Sequence, residues 1–133
     1  MCFDINRVFF ACIFIIVSSC SGRDYIESLP GGYQFISESN EQSFIYGKGD
    51  EFIPCTVIDY VFDDNFILIC QKPSEPCIHT DATGLDVENV DIIQFWIVDI
   101  REDKLLGPFI LTEYLQKRNN IGVPERLTLK LEI

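Results

Sequence analysis

The sequence predicts an α+β domain, mainly antiparallel β-sheet of about six strands, with one helix packed near the C-terminal end. Three observations predict it. Segments rich in β-branched and aromatic residues recur along the chain, and turn residues separate most of them closely. A single segment after Leu111 combines a helix start, a helix stop and apolar residues at spacings of three and four. Strands joined by short turns pair antiparallel, because a parallel return needs a crossover of a dozen or more residues.

The first element is a signal. Val8 to Val17 carries no charge and runs directly into Ser18-Ser19-Cys20. Ten apolar residues match the core of a signal peptide and fall short of the ~20 needed to span a ~30 Å hydrocarbon layer. The predicted organisation is a leader over residues 1–19, a short tether with a lipidated cysteine over 20–27, and one domain over 28–133. Against it stand Asp4 beside Arg7, which leaves the n-region without net positive charge, and Cys12 inside the apolar core. An ordinary cleaved signal peptide or a buried N-terminal strand is the competing expectation.

Within the domain, Leu29-Pro30-Gly31-Gly32 is a turn, since proline presets φ and glycine accepts positive φ. Tyr33 to Ser37 and Ser43 to Tyr46 follow as a hairpin around the polar Glu38 to Gln42. Thr56 to Phe62 and Phe66 to Cys70 form the strongest pair, turning at Asp63-Asp64-Asn65; their near-continuous apolar character predicts a central pair covered on both faces.

Lys72 to Asn89 is irregular, because Pro73 and Pro76 prevent regular pairing, and a connection of this length is either functional or mobile. Its His79, Asp81, Asp86 and Glu88 are the candidate binding loop. Asp91 to Ile100 restores a strand, with Ile93, Phe95, Ile97 and Asp99 on one face and Gln94, Trp96, Val98 and Ile100 on the other. Arg101 to Lys104 is a charged turn. The helix is expected to start with Thr112 as its cap, to place Leu111, Tyr114, Leu115 and Arg118 on one face, and to stop at Gly122 and Pro124. Leu127 to Ile133 alternates apolar and polar residues and is expected to be the last strand.

Val17-Ser18-Ser19-Cys20 resembles the bacterial lipobox, an aliphatic residue and two small ones before a cysteine that is acylated on sulfur and becomes the mature N-terminus. The rest of the chain resembles a family of small bacterial lipoproteins with a domain of unknown function, numbered 3997. The matching pieces are Leu29-Pro30-Gly31-Gly32-Tyr33, Asp64 to Leu68 running into Gln71-Lys72-Pro73, Phe95 to Asp99, Gly107-Pro108 and Ile121 to Pro124. The resemblance implies an anchored envelope protein of this fold and implies no activity; the chain is expected to depart from its relatives around Thr80 to Asn89.

Bulk properties exclude some functions. Removing 19 residues from 133 leaves 114, enough for one hydrophobic core. The formal charge of −11 opposes phosphate backbones, so no nucleic-acid partner is expected. The same sign opposes adsorption to anionic lipid, which leaves the N-terminal lipid as the membrane contact.

Six cysteines reduce to Cys55, Cys70 and Cys77 once Cys2 and Cys12 leave with the signal and Cys20 is acylated. Cys70 and Cys77 are a candidate disulfide around Pro73 and Pro76, and free buried thiols are the alternative.

Cys77-Ile78-His79-Thr80-Asp81 gathers a thiol, an imidazole and a carboxylate, the components of an activated nucleophile, yet a lone histidine in a proline-flanked loop is more often solvated. The spacing of Cys70 and Cys77 does not fit structural zinc, and Asp63 to Asn65 and Asp81 to Asp91 lack the calcium-loop pattern. Tyr60, Phe62, Phe66, Phe95 and Trp96 are expected in the core rather than in a ligand groove. No cofactor, metal or catalytic residue is therefore expected. The predicted role is a non-enzymatic binding or structural module on the cell envelope, with a protein as its candidate partner. The alternative is an immunity-like inhibitor of a cationic toxin, since negative charge speeds capture of a basic partner.

Overall fold

The computed structural model describes residues 24–74 and 92–132. Two four-stranded antiparallel sheets, each in meander order, lie face to face, and one helix covers the far side of the second. The first sheet holds β1 (Tyr25–Ser28), β2 (Gln34–Ser37), β3 (Ser43–Tyr46) and β4 (Phe52–Ile53). The second holds β5 (Val57–Phe62), β6 (Phe66–Gln71), β7 (Gln94–Asp99) and β8 (Lys104–Phe109), followed by helix α1 (Leu111–Ile121).

The layers follow from the strand pattern. All six residues of β6 are buried. Ile67 and Ile69, beside Trp96 and Val98 of β7, point toward the first sheet and pack with Tyr33, Ile45 and Ile53. Phe66, Leu68 and Cys70 point the other way, onto Phe95, Ile97 and Tyr114. A strand with no wet face has no reason to alternate, which is why its sequence reads as one apolar run. The faces expected for Phe95 and Ile97 against Trp96 and Val98 are those observed.

Two buried polar contacts tie the layers together. Gln71 donates from Nε2 to the Pro54 carbonyl at 2.8 Å and accepts the Trp96 indole N–H at 2.6 Å, so a fully buried amide is matched on both sides. Ser43 Oγ donates to the Val57 carbonyl at 2.7 Å, linking β3 to β5 across the sheet boundary. The β5–β6 turn is closed by the Asp63 carboxylate, which accepts the amides of Asn65 and Phe66 at 2.8 Å each.

The expected α+β class, mainly antiparallel with one helix, is what the chain adopts, and four element assignments change. Residues 25–27, expected in the tether, belong to β1, which pairs along its whole length with β2. Phe52–Ile53 adds β4. Lys104–Phe109 is a strand despite Gly107-Pro108, because β8 is the sheet edge and an edge proline withholds no ladder donor. A side chain at Gly107, whose φ is +128°, would approach the Phe95 carbonyl to 2.9 Å, so glycine lets the irregular register between β7 and β8 form.

The fourth change is at the C-terminus. Leu127 to Glu132 is not a strand but an irregular run ending in a 3₁₀ turn at Lys130–Glu132. Its alternation does bury Leu127 and Leu129. Its backbone, however, is satisfied by side chains rather than by a ladder: Lys130 N–H donates to Asp59 Oδ2 at 2.9 Å, and the Leu127 carbonyl accepts from Arg118 at 2.7 Å.

Helix α1 begins two residues earlier than a Thr112 cap would place it, at Leu111 with Ile110 at the N-cap, and Glu113 accepts the Ile110 N–H at 3.4 Å. Gly122 ends it in the left-handed region at φ +80°, as the sequence predicts. Only Tyr114 and Arg118 of the expected stripe are buried; Leu111 and Leu115 stay exposed. The buried Arg118 guanidinium pairs with Glu132 and also donates to the Pro124 carbonyl at 3.0 Å.

Candidate functional site

Most of the residues singled out for function, Cys20, Cys77, His79, Asp81, Asp86 and Glu88, lie outside the described residues. Cys70 corrects one expectation. It is a free, fully buried thiol and takes no part in a bridge with Cys77. Burial, reinforced by the Asp59 and Glu132 carboxylates, pushes the thiol up to about 12, so it is protonated and unreactive near neutrality. Among the described residues Cys55 is disulfide-bonded, with its sulfur 3.2 Å from Ser74 Oγ.

The aromatic residues divide as expected, with one exception. Phe66, Phe95 and Trp96 are core, and Tyr60 packs on Phe35 with ring centroids 4.6 Å apart, whereas Phe62 is exposed. Tyr60 donates its hydroxyl to Glu27 and Tyr33 donates to Glu51; burial first and the neighbouring carboxylate second raise both phenols above their ordinary range. These contacts anchor the rims of the first sheet.

Two surface features stand out. One is a cavity of about 150 Å³ lined by Ile92, Gln94, Pro108, Phe109, Ile110 and Glu113. It lies where β7, β8 and the first turn of α1 meet. Gln94 Oε1 is buried with no hydrogen-bond partner, and Glu113, whose carboxylate accepts the Ile110 N–H, is the charged residue among largely apolar walls. Among the described residues that line it there is no nucleophile paired with a base. Among the described residues no cluster of three metal-ligating side chains occurs, and no helix is long and apolar enough to cross a membrane.

The other is the outer face of the first sheet. Register places Ile26, Ile36 and Phe44 in one cross-strand row and Gln34, Tyr46 and Phe52 in the next. Phe44, Tyr46 and Phe52 form a cluster with centroids 4.8 to 5.9 Å apart. Ile26 is 60% and Tyr46 45% exposed, and no position on these rows is charged. An antiparallel sheet with a wet face normally turns polar residues outward, so an apolar outward face marks an interaction surface. From the sequence alone Ser43 to Tyr46 reads simply as a hairpin strand. Its signal was that adjacent Phe44 and Ile45 must face opposite sides, so both faces were apolar.

No curated protein and no solved structure is similar to the chain. The family model described as "Protein of unknown function (DUF3997)" matches residues 30–133, from the turn after β1 through both sheets, the helix and the C-terminal segment, and the chain belongs to that family.

Proposed function

We propose that the protein is a lipid-anchored binding module of the bacterial cell envelope, held by acyl chains on Cys20. The observation that carries this reading is the spacing between the lipobox-like Val17-Ser18-Ser19-Cys20 and β1, which begins at Tyr25. Four intervening residues span at most ~17 Å when the residue-to-residue step is included, so the domain rides on the bilayer without a stalk. Two or three chains, at about 0.8 kcal/mol per buried CH₂, hold a small domain stably. The formal charge of −11 suits a basic protein partner, and neutralisation of a cationic toxin is the narrow form of that reading.

The test is intact mass and membrane partitioning of the native chain beside Cys20→Ala, with non-reducing peptide mapping of Cys55. Wild type is expected to carry acyl mass and follow the membrane while the variant does not. With Cys20 acylated and residues 1–19 removed, Cys77 is the sulfur left for Cys55. A Cys55–Cys20 bridge, or a soluble unacylated wild type, overturns the reading.

A further inference from the structure

We infer that the outer face of the first sheet rests on the bilayer, with Ile26, Ile36, Phe44, Tyr46 and Phe52 at the headgroup level of a zwitterionic phospholipid surface; this rests on the anchored reading above. The argument combines reach, charge and side-chain chemistry.

Reach comes first. Cys20 lies five residues before Tyr25, so β1 stays within ~17 Å of the acylated sulfur. The second sheet lies about 10 Å above the first, and α1 a further layer above that. With a helix radius of about 5 Å, an orientation that put α1 on the bilayer would hold β1 some 25 Å away, beyond the tether. Of the two orientations that lay a layer flat on the bilayer, only the one with the first sheet beneath keeps β1 within the tether.

Charge selects its outer face. The chain carries 21 acidic and 10 basic residues, yet the two cross-strand rows on this face carry none. Of the nearby carboxylates, Glu27 is on the inner side, engaged by Tyr60, and Glu51 is engaged by Tyr33, while Asp24 and Glu38 lie beyond the strand ends and flank the two rows at one end. An uncharged face is the part of an acidic protein that meets lipid without a desolvation penalty for ions.

Side-chain chemistry fits the same place. Tyrosine and phenylalanine beside isoleucine match the amphipathic belt at a membrane–water interface. Affinity need only be weak, because the anchor supplies an effective concentration in the millimolar range.

The test uses the acylated full chain in phosphatidylcholine vesicles, with a nitroxide at Gln34→Cys on the proposed face or at Gln116→Cys on exposed α1, and collisional relaxation by oxygen and by an aqueous nickel chelate. Acyl mass is measured on the same samples. The label at 34 is expected to lose at least about fivefold of its nickel accessibility while gaining oxygen accessibility, and the label at 116 to stay aqueous. A nickel-accessible label at 34 on acylated, vesicle-bound protein overturns the docking and leaves the anchor standing. Missing acyl mass overturns the anchor and the docking with it. Shielding at 34 in the unacylated Cys20→Ser chain without vesicles shows that a second copy or another part of the chain covers the face, and also overturns the docking.

Discussion

The two sheets have the same number of strands and the same meander order but opposite surroundings. The second is buried on both faces, by the first sheet on one side and by α1 with the C-terminal segment on the other. The first is buried on its inner side, while its outer side shows Ile26 and Tyr46 to solvent. Apolar residues on the inner strands β6 and β7 are explained by what they touch, while edge strand β5 leaves Ile58 and Phe62 exposed. Those on the outer face of the first sheet are not so explained, and that asymmetry separates residues that hold the fold from residues available for contact. Substitution is expected to threaten folding at the second sheet and at the inner face of the first, and to be tolerated best on the outer face of the first.

The comparison breaks most severely at Arg118. Its guanidinium holds Glu132 and two backbone carbonyls, closing the C-terminal segment over the second sheet. The Glu132 side chain is only 3% exposed. Arg118→Met leaves that carboxylate buried without its partner, at a cost of about 3–5 kcal/mol. Urea unfolding measures it. A loss below about 1 kcal/mol would mean that the segment is not part of the cooperative core, and that the second sheet is as open on that side as the first is on its own.

A smaller effect sharpens the same contrast through pH. Cys70 sits on the helix-facing side of β6, where its pKa rises from an ordinary 9.0 to about 12. Between these values the unfolded chain has lost the proton that the native chain keeps. The native state therefore binds more protons, and stability falls as pH rises from about 9 toward 12, by at most ~1.4 kcal/mol per unit from this group. Burial raises the hydroxyls of Tyr33, Tyr60 and Tyr114 in the same direction, and these add to the alkaline loss. Cys70→Val is expected to flatten part of the slope. Iodoacetamide at about pH 8 is expected to leave Cys70 untouched until urea unfolds the chain. Rapid native alkylation would show that this side of the second sheet is open.

How far the sequence showed this division depends on how each element is stabilised. The β5–β6 hairpin was legible because its turn chemistry is local: Asp63 caps its own turn, and a strand buried on both faces announces itself as an apolar run. Gly122 was legible for the same local reason. The C-terminal segment was not, because its alternation was real while the choice between ladder and irregular run rested on distant groups, Asp59 and Arg118. Lys104–Phe109 was hidden by Gly107-Pro108, which a central strand could not hold and an edge strand can. The apolar face of the first sheet was present in the letters of Phe44, Tyr46 and Phe52, but only cross-strand register brings them together. The cavity was illegible, since Gln94 and Glu113 meet only once β7 and α1 are packed.

The smallest stability effect is expected where the functional one is largest. Tyr46 contacts Phe44 and Phe52 with centroids 5.2 and 4.8 Å away and remains 45% exposed. Tyr46→Ser removes these cross-strand pairs, which contribute roughly 0.2–1 kcal/mol each at most, and part of that is recovered because less apolar surface faces water. The net loss in urea unfolding is expected to stay within about 1 kcal/mol, against several at Arg118. A loss of several kcal/mol at Tyr46 would place the outer face within the packed structure and remove the distinction between the two sheets. A near-neutral change, together with reduced shielding of a label at position 34 on vesicles, would show that the residue is kept apolar for what lies beneath the domain rather than for what lies inside it.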